Sequence, residues 1–176
     1  MGGRPKGLLP APDTGEPLVV RTARLARALS MEVVLVGRAD AYQALLPDVP
    51  VLRDLPEGVG PLGGLNALLQ FARTRSAFVL VVACDLPFID ASLLTRLRDD
   101  DSGASVLAPR AAIDAPWEAL LARYHVEQCL PVLEQALSEG VRSFQALFAR
   151  LDVQPFVLKD LDQLRDWDSP EDVDRS

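Results

Sequence analysis

The chain has little of what thiol, redox or triad chemistry requires. It carries two cysteines, Cys84 and Cys129, and one histidine, His125, in 176 residues. The cysteines form no close pair, so neither a zinc spacing nor a disulfide framework is present, and both read as small buried apolar residues. His125 stands at the edge of an apolar segment and reads as structural. Basic residues are also in deficit, with 18 Lys and Arg against 25 Asp and Glu and a net charge of −7. Such a surface repels a nucleic-acid polymer, whereas a small anionic ligand held together with a divalent cation remains compatible. No apolar run is long enough for a bilayer and no charged-then-apolar leader opens the chain, so no membrane is expected and the cytoplasm is the default expectation.

What is present suits one core. An apolar fraction of 49% against 24% charged residues fills a single domain spanning 1–176. Leu18, Thr22, Leu25 and Leu29 share one face of a predicted helix ending near Ser30. Residues 32–36 read as a strand stopped by Gly37, and Leu62, Leu65, Leu69 and Ala72 form a second helical stripe. The unbroken apolar run 78–83 suits a parallel strand covered on both faces. Asp90 is placed to cap a helix through about Arg98, and residues 104–108 supply another strand. In the last third, 117–124 fits either a strand or a helix, 127–137 and 143–151 read as helices, and 154–158 as a short strand. The alternation predicts an α/β fold of three layers, Rossmann-like, with a mostly parallel central sheet.

Four segments carry the chemistry. Gly2-Gly3-Arg4-Pro5-Lys6 has the glycines and lysine of a phosphate-binding loop, although such a run at a chain start is more often without structure. Asp85 directly follows the apolar strand, where ligands of open α/β sheets bind. Pro87 breaks the chain behind it, and because Asp90 already caps the next helix, Asp85 is left for a metal or catalytic role. Gly60-Pro61-Leu62-Gly63-Gly64 precedes a helix; it reads either as an ordinary turn or as bare backbone against which a flat ligand lies. Asp168-Ser169-Pro170-Glu171-Asp172 makes a good helix start.

In their order and spacing these segments resemble the molybdenum cofactor guanylyltransferase family, among the Rossmann-like nucleotidyltransferases, over nearly the whole chain. Gly2, Gly3 and Lys6 match the end of that family's opening Gly-Gly-x-Ser-x-Arg-Met-Gly-x-x-Lys loop. Gly60, Pro61, Leu62 and Gly64 match its Gly-Pro-Leu-x-Gly turn, Asp54 an acid shortly before it, and Asp85 the aspartate of its Cys-Asp-x-Pro metal site. The stretches 130–134 and 140–143 resemble its cofactor-binding half. Where the family ends in Asn-x-Asn-Thr-Pro-Glu-Asp, this chain has Asp166-Trp167-Asp168-Ser169-Pro170-Glu171-Asp172. Helix capping accounts for 169–172 and leaves Asp168 free for the second metal-ligand role, beside Asp85, that the resemblance implies.

The resemblance implies GMP transfer from GTP to the molybdenum-molybdopterin cofactor with loss of pyrophosphate, in molybdopterin guanine dinucleotide biosynthesis. It implies Mg2+ as cofactor, Lys6 and Asp85 as catalytic residues, and transient contact with molybdenum cofactor enzymes or insertion proteins. Two alternatives stay open. Pro5-Lys6 looks more like the cytidylyl relatives, which use CTP, and the replaced amides also suit a nucleotide-binding relative without catalysis. The resemblance further implies a central strand and the first half of the phosphate loop ahead of Met1, so the chain is expected to begin at an internal methionine.

Overall fold

The computed structural model describes residues 5–37 and 40–167. Its helices and strands follow the periodicities of the sequence, with shorter strands than expected. A 3-10 turn at Lys6–Leu8 precedes α1 (Leu18–Ala28), and β1 (Leu35–Val36) pairs in parallel with β2 (Val51–Leu52) across the short α2 (Asp40–Gln43). Then come α3 (Pro61–Ala72), β3 (Phe78–Val82), α4 (Ala91–Asp99), β4 (Val106–Ala108), β5 (Leu121–His125), α5 (Val126–Ser138), α6 (Phe144–Phe148), β6 (Val153–Pro155) and a 3-10 turn at Leu161–Leu164.

The larger sheet has the order β3-β5-β4-β6. β3, β4 and β6 run one way, and β5 lies antiparallel between β3 and β4, in register Phe78↔His125 and Val106↔Tyr124. The segment that fitted either a strand or a helix is therefore this reversed strand, and the sheet is mostly parallel in strand direction. Helices cover both faces. Val79 and Val81 pack with α3, α5 and α6, while Leu80 and Val82 pack with α4, with Leu25 of α1 and with Leu29, which caps that helix. No helix among the described residues is long and apolar enough to cross a membrane.

Capping follows the sequence. The Asp90 carboxylate accepts from Leu93 N–H at 2.7 Å. His125 starts α5, its Nδ1 accepting from Gln128 N–H at 3.4 Å, and its ring meets Phe78 edge-on at 4.8 Å. Both cysteines are free, with Cys129 buried. Two buried charges were not legible in the sequence. Arg123 of β5 lies over the Phe78 ring at 4.6 Å and donates to the carbonyls of Asp100 and Ser102. Arg21 of α1 joins the Asp13 carboxylate at 2.8 Å to the Ile89 carbonyl at 2.8 Å.

The start of α3 is set by close backbone approach. Gly60 caps it at φ +74°, and Pro61 opens it with a ring already at helical φ. A Cβ at Gly63 would lie 2.7 Å from the Pro56 carbonyl oxygen and 3.0 Å from Val59, whereas one at Gly103 would meet nothing within 4 Å. Gly63→Ala is therefore expected to destabilise by about 1–3 kcal/mol through overpacking. Urea unfolding should show this loss, with Gly103→Ala close to wild type; equal stability of the two variants would show that the α3 turn tolerates a side chain.

Burial pushes the Cys129 thiol up to about 12 and the Tyr124 hydroxyl well above its ordinary value. The unfolded chain loses these protons near the ordinary values of 9.0 and 10.0, whereas the fold keeps them. The stability they contribute is thus complete below about pH 9 and falls as pH rises towards 12. The urea midpoint should decline over that alkaline window, and a midpoint constant up to about pH 11 would contradict the burial of both groups.

Candidate active site

After the apolar run of β3 the chain turns through Cys84 into Asp85. Ala83 N–H donates to the Leu120 carbonyl at 2.7 Å, which anchors this turn to the loop before β5. The Asp85 carboxylate is 21% exposed and accepts from Lys6 Nζ at 3.2 Å. The structure thus brings together the two residues expected to be catalytic, 79 positions apart in the chain.

Lys6 is held there from below. Gly7 packs so closely that a Cβ would lie 3.0 Å from Cys84 Sγ and 3.1 Å from the Tyr42 ring, and its N–H donates to Tyr42 Oη at 3.3 Å. Burial raises the Cys84 thiol, and it raises the Tyr42 hydroxyl to about 12, so both stay neutral beside the ion pair at ordinary pH. Sequence reading missed Tyr42, which stands in a four-residue helix with no motif around it.

Asp54 follows β2 closely, as Asp85 follows β3. Its Cβ lies 3.1 Å from where a Gly63 Cβ would stand, and its Oδ1 lies 3.2 Å from the equivalent point at Gly64 and 3.7 Å from that at Gly37. The missing side chains of Gly63 and Gly64 therefore make room first for Asp54, Pro56 and Val36. Leu55 is tied at both polar groups, its N–H donating to Gly63 O at 3.0 Å and its carbonyl accepting from Asn66 Nδ2 at 2.8 Å.

Asp54, Pro61, Gly64 and Asp85 line one cavity, and Lys6 joins them through Asp85. Gly60 and Leu62 do not line it. Leu62 is fully buried, with no exposed surface, in the core that α5 also joins. Gly2, Gly3 and Asp168 lie outside the described residues.

Two more acids approach this end of the sheet. Trp167 N–H donates to the Asp85 carbonyl at 3.1 Å, which brings the segment through Asp166 alongside the β3 turn. Burial and then the Asp166 carboxylate raise Glu118, a residue the sequence reading did not single out. Among the described residues no three of His, Cys, Asp and Glu gather into a metal cage. A single exposed carboxylate with room for substrate oxygens is nonetheless a donor set that fits magnesium, which keeps waters and shares phosphate ligands. It does not fit a soft metal.

The model of the MobA-like NTP transferase domain matches residues 1–154. The molybdenum cofactor guanylyltransferase of Pseudomonas putida is 36% identical over 180 residues, which cover 97% of this chain and 87% of that protein. A probable molybdenum cofactor guanylyltransferase of Synechococcus elongatus is 32% identical over 178 residues, covering 97% and 88%. Among solved structures, molybdopterin-guanine dinucleotide biosynthesis protein A from Archaeoglobus fulgidus has a TM-score of 0.76 at 23% identity, covering 98% of this chain and 89% of that one. 2-C-methyl-D-erythritol 4-phosphate cytidylyltransferase from Thermus thermophilus has a TM-score of 0.64 at 16% identity, covering 97% and 91%. These two likenesses carry the fold, and the curated relatives carry the family. The chain belongs to the MobA-like NTP transferase domain family, the nucleotidyltransferases that include the molybdenum cofactor guanylyltransferases.

Proposed function

We propose that this protein transfers GMP from GTP to a terminal phosphate of the molybdenum-molybdopterin cofactor. The observation that carries the reading is the Lys6–Asp85 pair at the carboxyl end of β3, in contact with the cavity that Asp54 and the α3 turn also line. The acceptor phosphate is already anionic and needs no protein nucleophile. Its oxygen attacks the α-phosphorus in line, a new P–O bond forms as the α–β bridging P–O bond breaks, and the bond electrons leave with pyrophosphate. Catalysis then rests on holding the two anions together and offsetting the charge that builds between them.

Lys6 supplies fixed positive charge for the departing pyrophosphate. Its ammonium is oriented by Asp85, and the turn that carries it is braced by Tyr42 through Gly7. Asp85, with Asp168 as its expected partner, would hold a magnesium ion, which when bound neutralises the α-phosphate oxygens. The guanine base is assigned to the α3 turn, where Leu55 is pinned and Gly60 and Pro61 are exposed. That placement favours GTP over CTP, since the Gly-Pro-Leu turn is the feature of the resemblance nearest the base.

Asp85→Asn keeps the side chain's shape and removes its charge. It is expected to lower pyrophosphate release from GTP and molybdopterin by at least about 100-fold without loss of thermal stability. Lys6→Met should cost a similar factor, falling mainly on kcat. Thermal-shift titrations with GTP, CTP and ATP, each with and without magnesium, identify the nucleotide. A magnesium-dependent shift with GTP alone is expected. A shift with CTP alone would transfer the assignment to a cytidylyltransferase, and full turnover by Asp85→Asn would remove Asp85 from the chemistry.

A further inference from the structure

The ion pair at the candidate site is too exposed to set its own geometry. The Lys6 side chain is 37% exposed and that of Asp85 21%, and a pair so open to water contributes little by itself. The lysine stem is flexible and loses freedom when its ammonium is held at one distance. The 3-10 turn that carries it is closed by Leu8 N–H on the Pro5 carbonyl at 3.0 Å and Leu9 N–H on the Lys6 carbonyl at 2.9 Å. Neither of these bonds reaches the turn of Asp85, which has its own anchors in Ala83 N–H and Trp167 N–H.

A third group joins the two turns. Tyr42 Oη accepts from Gly7 N–H at 3.3 Å and from the Cys84 thiol at 3.7 Å. Gly7 is the residue after Lys6 and Cys84 the residue before Asp85, so one phenolic oxygen touches a chain neighbour of each member of the pair. Consecutive Cα atoms stand about 3.8 Å apart across a trans peptide, and a shift at either contact therefore passes to the charged residue beside it. The far end of Tyr42 is fixed. Its ring packs with Val19 and Ala23 of α1 and with Leu46 and Val49 ahead of β2, and its carbonyl accepts from Leu45 and Leu46 N–H at 2.9 and 3.1 Å. The apolar body of the tyrosine is thus set in a core while its polar tip stands at the site. A phenylalanine ring would fill the same space, so the hydroxyl is the part that packing does not require.

We propose that Tyr42 is a positioning residue, whose hydroxyl fixes the distance between Lys6 and Asp85 by holding Gly7 and Cys84 on one oxygen. It acts through the pair and not on the reacting atoms. Because the Asp85 turn is anchored independently, the group that depends on the hydroxyl for its place is the Lys6 ammonium. The catalytic consequence rests on the proposed transfer reaction, whereas the brace itself does not.

The test uses Tyr42→Phe in the full chain, which removes the oxygen and keeps the ring. Residue-resolved amide exchange reads the brace with no substrate present. Gly7 N–H, whose acceptor is Tyr42 Oη, should exchange at least about tenfold faster in the variant, while amides inside α5 such as Leu133 change little. Pyrophosphate release from GTP and molybdopterin reads the positioning. Its kcat should fall about tenfold, with the KM for GTP within about twofold of wild type, and the thermal midpoint should drop by no more than about 2–4 °C. In the Lys6→Met background the hydroxyl has no ammonium to place, so Tyr42→Phe should then lower kcat by less than about twofold. Unchanged exchange at Gly7 would overturn the proposal. So would an equal fall in kcat in both backgrounds, or a loss confined to the thermal midpoint, since packing alone predicts either. A wild-type chain that turns over neither GTP nor CTP would count against the proposed reaction, and exchange at Gly7 would still decide the brace.

Discussion

The arrangement of this protein depends on the burial of β3 between two apolar layers. Val79 and Val81 belong to the core under α3 and α5, and Leu80 and Val82 to the core over α4. A strand covered on both faces cannot hold a carboxylate within its length, because an unpaired charge there is too costly to desolvate. Asp85 is therefore excluded to the strand's end. There Lys6 offsets its charge, and the backbone of Trp167 holds the turn in place. The location of the candidate site is thus a consequence of where the hydrophobic run stops and of the reach of the first turn back to that point.

The α3 turn shows the same economy at a second strand end. Its glycines suggest a surface left bare for a ligand, yet two of them are filled from beneath by the loop that carries Asp54. Close packing fixes Asp54 and Leu55, and the fixed loop then presents Gly60 and Pro61 at the surface. Structural and ligand-binding readings of the turn are compatible because they concern different atoms. The side-chain space of Gly63 and Gly64 belongs to the fold, while Gly60 and Pro61 are the exposed residues of the turn that remain for a ligand.

Much of this was legible beforehand because it rests on local pattern. The stripes of α1 and α3, the apolar run of β3 and the Asp90 cap follow from periodicity and side-chain hydrogen bonding, which neighbouring residues determine. The pairing of Asp85 with Lys6 was legible through resemblance alone, since nothing local joins residues so far apart. Other features depend on tertiary neighbours and left no such trace. The segment that ends in β5 alternates too weakly to distinguish strand from helix, and its direction follows from its pairing between β3 and β4. Arg123 and Arg21 look like surface charges until their carbonyl partners are brought to them by folding. Tyr42 and Glu118 acquire their roles only when Gly7 and Asp166 arrive beside them.

The acidity of the chain gains meaning from this placement. A protein of net charge −7 is poorly suited to attract a nucleoside triphosphate by its overall field, so affinity must come from local groups. Locally the balance differs. Asp85 is compensated by Lys6, and Glu118 is driven towards its neutral form by burial and by Asp166. Asp54 packs closely against the glycines of the α3 turn. Of the acids that line the cavity, Asp85 is the one held beside a lysine at the end of the apolar strand. A divalent ion shared between that carboxylate and a phosphate would reverse the sign of the site at the point where two anions must meet. Under the proposed reaction, the acidic surface elsewhere would act against long anionic polymers while leaving a small, metal-bound triphosphate free to enter.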